Sequence, residues 1–166
     1  MPTYDEKTLA DLLDGKLPFE QVHAMLSAFK DADRFEKMLA IHQARVSWSD
    51  RILLPYGMHL YIVQKSDGSR VTKCECGHEF GDYRRNWKYG ALVYVRDTEE
   101  KQHEIYPAMM HSDPDWMILR EFYCPGCMTQ LEVEAVPPGY PLIFDMQPDI
   151  DALYRDRLKK QLNHSP

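Results

Sequence analysis

Two short cysteine pairs constrain this chain more than any other feature: Cys74-Glu75-Cys76 and Cys124-Pro125-Gly126-Cys127. A run rich in β-branched and aromatic residues leads into each, Val71-Thr72-Lys73 before the first and Trp116 to Tyr123 before the second. Glycine follows the first pair at 77 and lies within the second at 126. Zinc ribbons are built this way. Two tight turns at strand ends each present two thiolates, and a sheet brings the turns together. Four soft sulfur donors suit Zn²⁺ and complete a tetrahedron. The first pair is a CxC, tighter than the usual CxxC, so His78 is the reserve ligand should one cysteine fall out of reach. Three other readings remain open. Four unrelated cysteines can be small buried hydrophobes. Cys124 and Cys127 can be a redox dithiol, but the βα context of that motif is missing. An iron site of rubredoxin type normally wants two CxxC knuckles. A set of four protein ligands leaves no position for water or substrate, so such a site stabilises a fold and activates nothing. Its contribution is on the order of 10 kcal/mol.

The residues around these pairs predict an α+β fold in three stretches. Residues 1–48 read as helical. Thr3 and Glu6 have capping-box spacing ahead of Leu9, Leu12 and Leu13. Pro18 opens a second helix with Phe19, Val22, Met25, Leu26 and Phe29 on one face. Asp33 starts a third, with Phe35, Met38, Leu39, His42 and Val46 at helical spacing. His42 reads as a packed core histidine. Residues 49–136 read as an antiparallel, zinc-ribbon-like β region: Ile52-Leu53-Leu54 ending at Pro55, then 59–64, a hairpin turn at 66–69, 71–74, 91–95, 116–123 and 130–136. A short polar helix or loop is expected over 97–105. Residues 137–166 begin with Pro137-Pro-Gly-Tyr-Pro141, which with Val136 before it makes an extended proline-rich arm that cannot be helical. A last helix over 148–162 then carries Ile150, Leu153, Tyr154 and Leu158 on one side. The 166 residues suit one unit of this kind.

Charge and motifs exclude more than they propose. The formal net charge of −6 argues against nucleic-acid binding, although Arg84, Arg85 and Lys88 stand close together. That trio reads as a solvated loop or a rim of ion pairs. No apolar run approaches the length of a membrane span, and the acidic N-terminus lacks a secretory core, so a cytoplasmic protein is expected. No GxxxxGK(S/T), GxGxxG, HExxH or GxSxG motif is present. Tyr83, Trp87 and Tyr89 follow the first pair, and Trp116, Phe122 and Tyr123 precede the second. They either pack around the metal or form an interface. A free-standing zinc-ribbon module for protein or nucleic acid is therefore one functional reading.

The other comes from a resemblance. The runs Cys74-Glu-Cys-Gly-His-Glu-Phe80, Asn86-Trp87-Lys88, Val95-Arg96-Asp97-Thr98, Glu104-Ile105-Tyr106-Pro107 and Arg120-Glu-Phe-Tyr-Cys-Pro-Gly-Cys127 resemble the small gamma subunit of acetone carboxylase. So do Leu13-Asp-Gly-Lys16, Ile52-Leu-Leu-Pro55 and Tyr140-Pro-Leu-Ile-Phe-Asp145 with Pro148-Asp-Ile150. Acetophenone carboxylase has a comparable small subunit. The resemblance covers nearly the whole chain in order. It implies a subunit of an ATP-dependent enzyme that joins acetone and bicarbonate to give acetoacetate. In that family two larger subunits carry the catalytic sites, the ATP chemistry and Mn²⁺. The small one holds structural Zn²⁺, here on Cys74, Cys76, Cys124 and Cys127, and carries no catalytic residue. One departure stands out: the family pattern favours a small residue after the second knuckle, and here it is Met128.

Overall fold

A tight turn sets the first sheet. In the computed structural model, which describes residues 3–107, 109–160 and 162, the Ser69 amide donates to Asp67 Oδ1 at 2.9 Å and closes the predicted hairpin. It joins β2 (Leu60–Gln64) to β3 (Arg70–Cys74), in register from Leu60 opposite Cys74 to Gln64 opposite Arg70. Flanking strands β1 (Arg51–Gly57) and β4 (Glu79–Asp82) complete a four-stranded antiparallel sheet of order β1-β2-β3-β4. β1 does not stop at Pro55, as its sequence predicts, but runs on to Gly57. Proline removes a ladder donor, which matters only inside a sheet; β1 is an edge, and its register shifts beside Pro55. β4 had no alternating signature to announce it.

The second sheet comes from the later β-rich runs: β5 (Leu92–Arg96), β6 (Ile118–Tyr123) and β7 (Gln130–Val136), antiparallel in that order. The polar stretch before β6 contains helix α4 (Glu99–His103), capped by Thr98, whose hydroxyl accepts from the Lys101 amide, and this helix packs on β5. Leu60 and Cys74 of the first sheet meet Phe122, Cys124 and Leu131 of the second, with Trp87 of the 3₁₀ turn Trp87–Gly90 between them. This cluster joins the sheets, and Cys74 and Cys124 lie in it.

Helices α1 (Glu6–Leu13), α2 (Phe19–Ser27) and α3 (Arg34–Arg45) precede the sheets. The cap of α1 is Asp5, which accepts from the Thr8 amide at 2.7 Å, and not Thr3. Leu39 and Val46 pack on Ile52, Tyr61 and Val63. His42 is the packed histidine expected: its Nδ1 lies 3.1 Å from the Tyr61 hydroxyl, and burial keeps its pKa low. The apolar face expected of α2 does not join the core. Met25 is buried, while Phe19 and Leu26 on the helix and Phe29 beyond it are exposed.

Residues 137–149 contain no helix or strand. The last helix is shorter than its periodicity predicts. It consists of α5 (Ile150–Ala152) continued by a π-helical turn, Leu153–Arg157; residue 161 of the expected span lies outside the described residues. Ile150 and Tyr154 are buried against Leu53 and Ile62. The Tyr154 hydroxyl donates to the Leu53 carbonyl at 2.9 Å. Lys159, at φ +54, ends the helical run.

Candidate metal centre

Each cysteine pair sits on a turn that its own backbone closes. At the end of β3 the Cys74 amide donates to the His78 carbonyl at 2.8 Å, and the Gly77 amide to the Cys74 carbonyl at 2.8 Å. Gly77 takes φ +100, which a side chain would resist. At the end of β6 the Cys124 amide donates to the Thr129 carbonyl at 2.9 Å, and the Met128 amide to the Cys124 carbonyl at 2.8 Å. The two turns approach so closely that a Cβ on Gly126 would stand 2.9 Å from the Cβ of His78. Only glycine fits there.

The result brings all four sulfurs within 4.8 Å of one another. Cys74 Sγ is 3.9 Å from Cys127 Sγ, and Cys76 Sγ is 3.7 Å from Cys124 Sγ. A disulfide would need about 2.05 Å. A tetrahedron with metal–sulfur bonds near 2.3 Å has sulfur–sulfur edges of about 3.8 Å. The spacing therefore suits four thiolates around one ion, with each pair contributing to both short contacts. His78 is not in this group of ligand atoms. Its ring meets the edge of Phe80, with centroids 4.9 Å apart.

The thiols are unequal. Cys74 and Cys124 are buried, whereas Cys76 and Cys127 are exposed. Burial pushes the Cys74 thiol well above its ordinary pKa. Hydrogen bonds from Thr129, side chain first, bring Cys127 down to about 6. A buried thiolate needs a countercharge, which a cation between the four sulfurs would supply.

Sequence reasoning missed the braces behind the first turn. The Glu75 carboxylate lies 2.6 Å from His59 Nδ1, and the Glu75 carbonyl accepts from Trp48 Nε1 at 3.0 Å. His59 itself takes φ +61 at the tip of the β1–β2 hairpin. No spacing rule links these residues to the cysteines, because the hairpin brings them there. The basic trio also divides. Arg84 pairs with Asp82 at the surface. Lys88 is 1% exposed, and its ammonium meets Glu132, Glu134 and Asp145. Lys88 is thus unavailable to a phosphate backbone. The aromatics divide too: Trp87 and Phe122 are core, while Tyr89 and Trp116 are exposed.

Met128 lies at φ +61, a left-handed conformation that glycine adopts without strain and a side chain resists. Met128→Gly should raise stability by about 1 kcal/mol. The check is the midpoint of chemical denaturation of the metal-loaded protein, and a lower midpoint contradicts it.

This is a mixed α+β chain whose four cysteines, gathered at the join of two antiparallel sheets, could hold a metal ion. The acetone carboxylase gamma subunit family matches residues 46–158, and the chain belongs to it. It is 46% identical over 156 residues to the acetone carboxylase gamma subunit of Xanthobacter autotrophicus, covering 93% of both chains. It is 39% identical over 92 residues to the acetophenone carboxylase beta subunit of Aromatoleum aromaticum, covering 52% of this chain and 67% of that one. Among the described residues no helix is long and apolar enough to cross a membrane.

Proposed function

We propose that this chain is the zinc-holding structural subunit of an ATP-dependent ketone carboxylase, with acetone and bicarbonate as substrates and acetoacetate as product. The observation that carries the reading is a four-sulfur set, at tetrahedral spacing, within a chain of this family. Four protein donors fill the preferred coordination of Zn²⁺, so the ion anchors the join between the sheets and offers no site to a substrate. Catalysis, ATP and Mn²⁺ then belong to two larger partner chains. The rival reading, a nucleic-acid-binding ribbon, loses its basic patch with the burial of Lys88.

Co-expression with the two larger carboxylase chains tests the proposal. The expected product is one assembly containing all three, with about one zinc ion in each small chain. ATP-dependent carboxylation should require the larger chains and be undetectable with the small one alone. Carboxylation by the isolated small chain, or failure of the three to assemble, overturns the reading.

A further inference from the structure

Helix α3 and the β1–β2 hairpin enclose a cleft of about 400 Å³, within the roughly 300–1,000 Å³ that small-molecule sites occupy. Much of its wall is apolar. Leu13 comes from the end of α1, Met38 from α3, and Pro55 and Met58 from the hairpin. A few polar side chains interrupt this wall: His42 and Arg45 of α3, Tyr61 of β2, and Glu75 of the first cysteine turn with His59 beside it. Apolar walls with a small number of polar groups are the usual make-up of a site for a small organic molecule.

The polar groups say what kind of molecule. Arg45 Nη2 meets the Asp14 carboxylate at 2.8 Å, and His59 Nδ1 meets that of Glu75 at 2.6 Å, so the charges are paired within the wall. An anion entering the cleft would face Glu75 and a cation would face Arg45; like charges brought together are costly. The occupant is therefore neutral. The Tyr61 hydroxyl lies 3.1 Å from His42 Nδ1. A phenol is the stronger acid of that pair and an imidazole nitrogen the stronger base, so the hydroxyl donates and Nδ1 accepts. Burial first, and Arg45 second, hold the His42 pKa down. A neutral ring that accepts at Nδ1 carries its proton on Nε2. Among the described residues no group accepts that proton. His42 thus leaves the cleft an N–H donor, and the complementary ligand is an apolar body with an acceptor oxygen.

We propose that this cleft binds a small neutral ketone, its carbonyl oxygen accepting from His42 Nε2 and its apolar substituents lying against Met38 and Met58. The chemistry of the walls selects a neutral carbonyl compound; the choice of a ketone among these rests on the carboxylase-subunit reading. The volume admits an aromatic substituent as well as a methyl group.

The test titrates ketones into the zinc-loaded full chain. Binding is read by saturation-transfer NMR of the ligand and by the nitrogen shifts of the His42 ring. Acetophenone should bind saturably with a Kd on the order of 1 mM, and acetone more weakly for its smaller apolar surface. His42 Nε2 should shift more than Nδ1. His42→Phe keeps a ring and removes the donor, so it should weaken acetophenone about tenfold. Met38→Trp fills the cleft and should abolish binding. Benzoate, similar in size but anionic, should bind at least about tenfold more weakly than acetophenone. No saturable binding up to about 20 mM, unchanged binding by His42→Phe, or benzoate binding as tightly as acetophenone overturns the inference. Should neither variant fold, the wild-type chain decides: the acetophenone methyl should show nuclear Overhauser contacts to His42 and Met38, and contacts only elsewhere overturn the inference. Each of these failures leaves the carboxylase-subunit reading standing, because co-assembly with the larger chains tests that reading and ketone binding does not.

Discussion

Cys124→Ser should abolish metal binding and cost the chain its tertiary structure. Cys124 is fully buried at the end of β6, in the cluster that joins the two sheets. Serine is a poor ligand for a soft thiolate site, so the ion loses one of four donors. It also leaves a hydroxyl in an apolar setting. A structural zinc site contributes on the order of 10 kcal/mol. Domains of this size are stable by only about 5–15 kcal/mol. Loss of the ion therefore removes most of the margin. Measured by metal analysis, the ratio should fall from about one ion per chain to near zero. The near-ultraviolet circular dichroism of Trp87, packed against Phe80 and Phe122 at centroid distances of 5.8 and 5.9 Å, should collapse with it. Cys127→Ser should lose the ion as well but retain more of this signal, since Cys127 is exposed and leaves no buried defect. A Cys124→Ser protein that keeps a full complement of metal, or melts within about 2 °C of wild type, would show that the sulfurs are not the anchor.

The cysteine turns were legible in the sequence because their signals are local: a β-rich run, two thiols and a glycine within a few residues. The same holds for the hairpin at Asp67 and for β7, whose polar and apolar residues alternate. What escaped depends on distant partners. Pro55 reads as a strand end until β1 is known to be an edge, where its missing donor costs nothing. The apolar residues of α2 read as core, although only Met25 finds cover; periodicity reports amphipathicity and not what the face meets. His59 and Trp48 brace Glu75 from elements far along the chain, so no motif spacing announces them. Lys88 was the least legible of all. Beside Arg84 and Arg85 it reads as surface charge, and its three acidic partners lie more than forty residues further on.

That burial makes Lys88 the second site at which a single substitution should have a large effect. Burial alone would depress the ammonium pKa, but hydrogen bonds to Asp145, Glu132 and Glu134 outweigh it and hold the group charged. The ammonium also lies 5.3 Å from the centre of the Phe122 ring. Three elements thus meet on one cation: the 3₁₀ turn that carries Trp87, strand β7, and the segment around Asp145 that has no helix or strand of its own. Lys88→Met keeps much of the stem volume and deletes the charge. Glu134, 12% exposed, would keep Arg120 at 2.7 Å, but Glu132 and Asp145 would face it with no cation between them. Removing one partner of a fully buried ion pair typically costs about 3–5 kcal/mol; with Glu132 and Asp145 35% and 59% exposed, water screens part of that and leaves about 2–3 kcal/mol. The expected result is a fall of that size in unfolding free energy by urea titration, with metal content unchanged in the native state. Residues around 145 should lose hydrogen-exchange protection before either sheet does, because side chains and no ladder hold them: Arg120 on the Tyr140 and Pro141 carbonyls, and the Tyr56 hydroxyl on the Met146 carbonyl. Arg84→Ala provides the contrast. Its partner Asp82 is a surface carboxylate, and an exposed pair of this kind is worth under about 1 kcal/mol. If Lys88→Met and Arg84→Ala prove equally mild, the cation does not organise the join between β7 and the segment that follows it, and the packing of Trp87 and Phe122 alone must hold that face together.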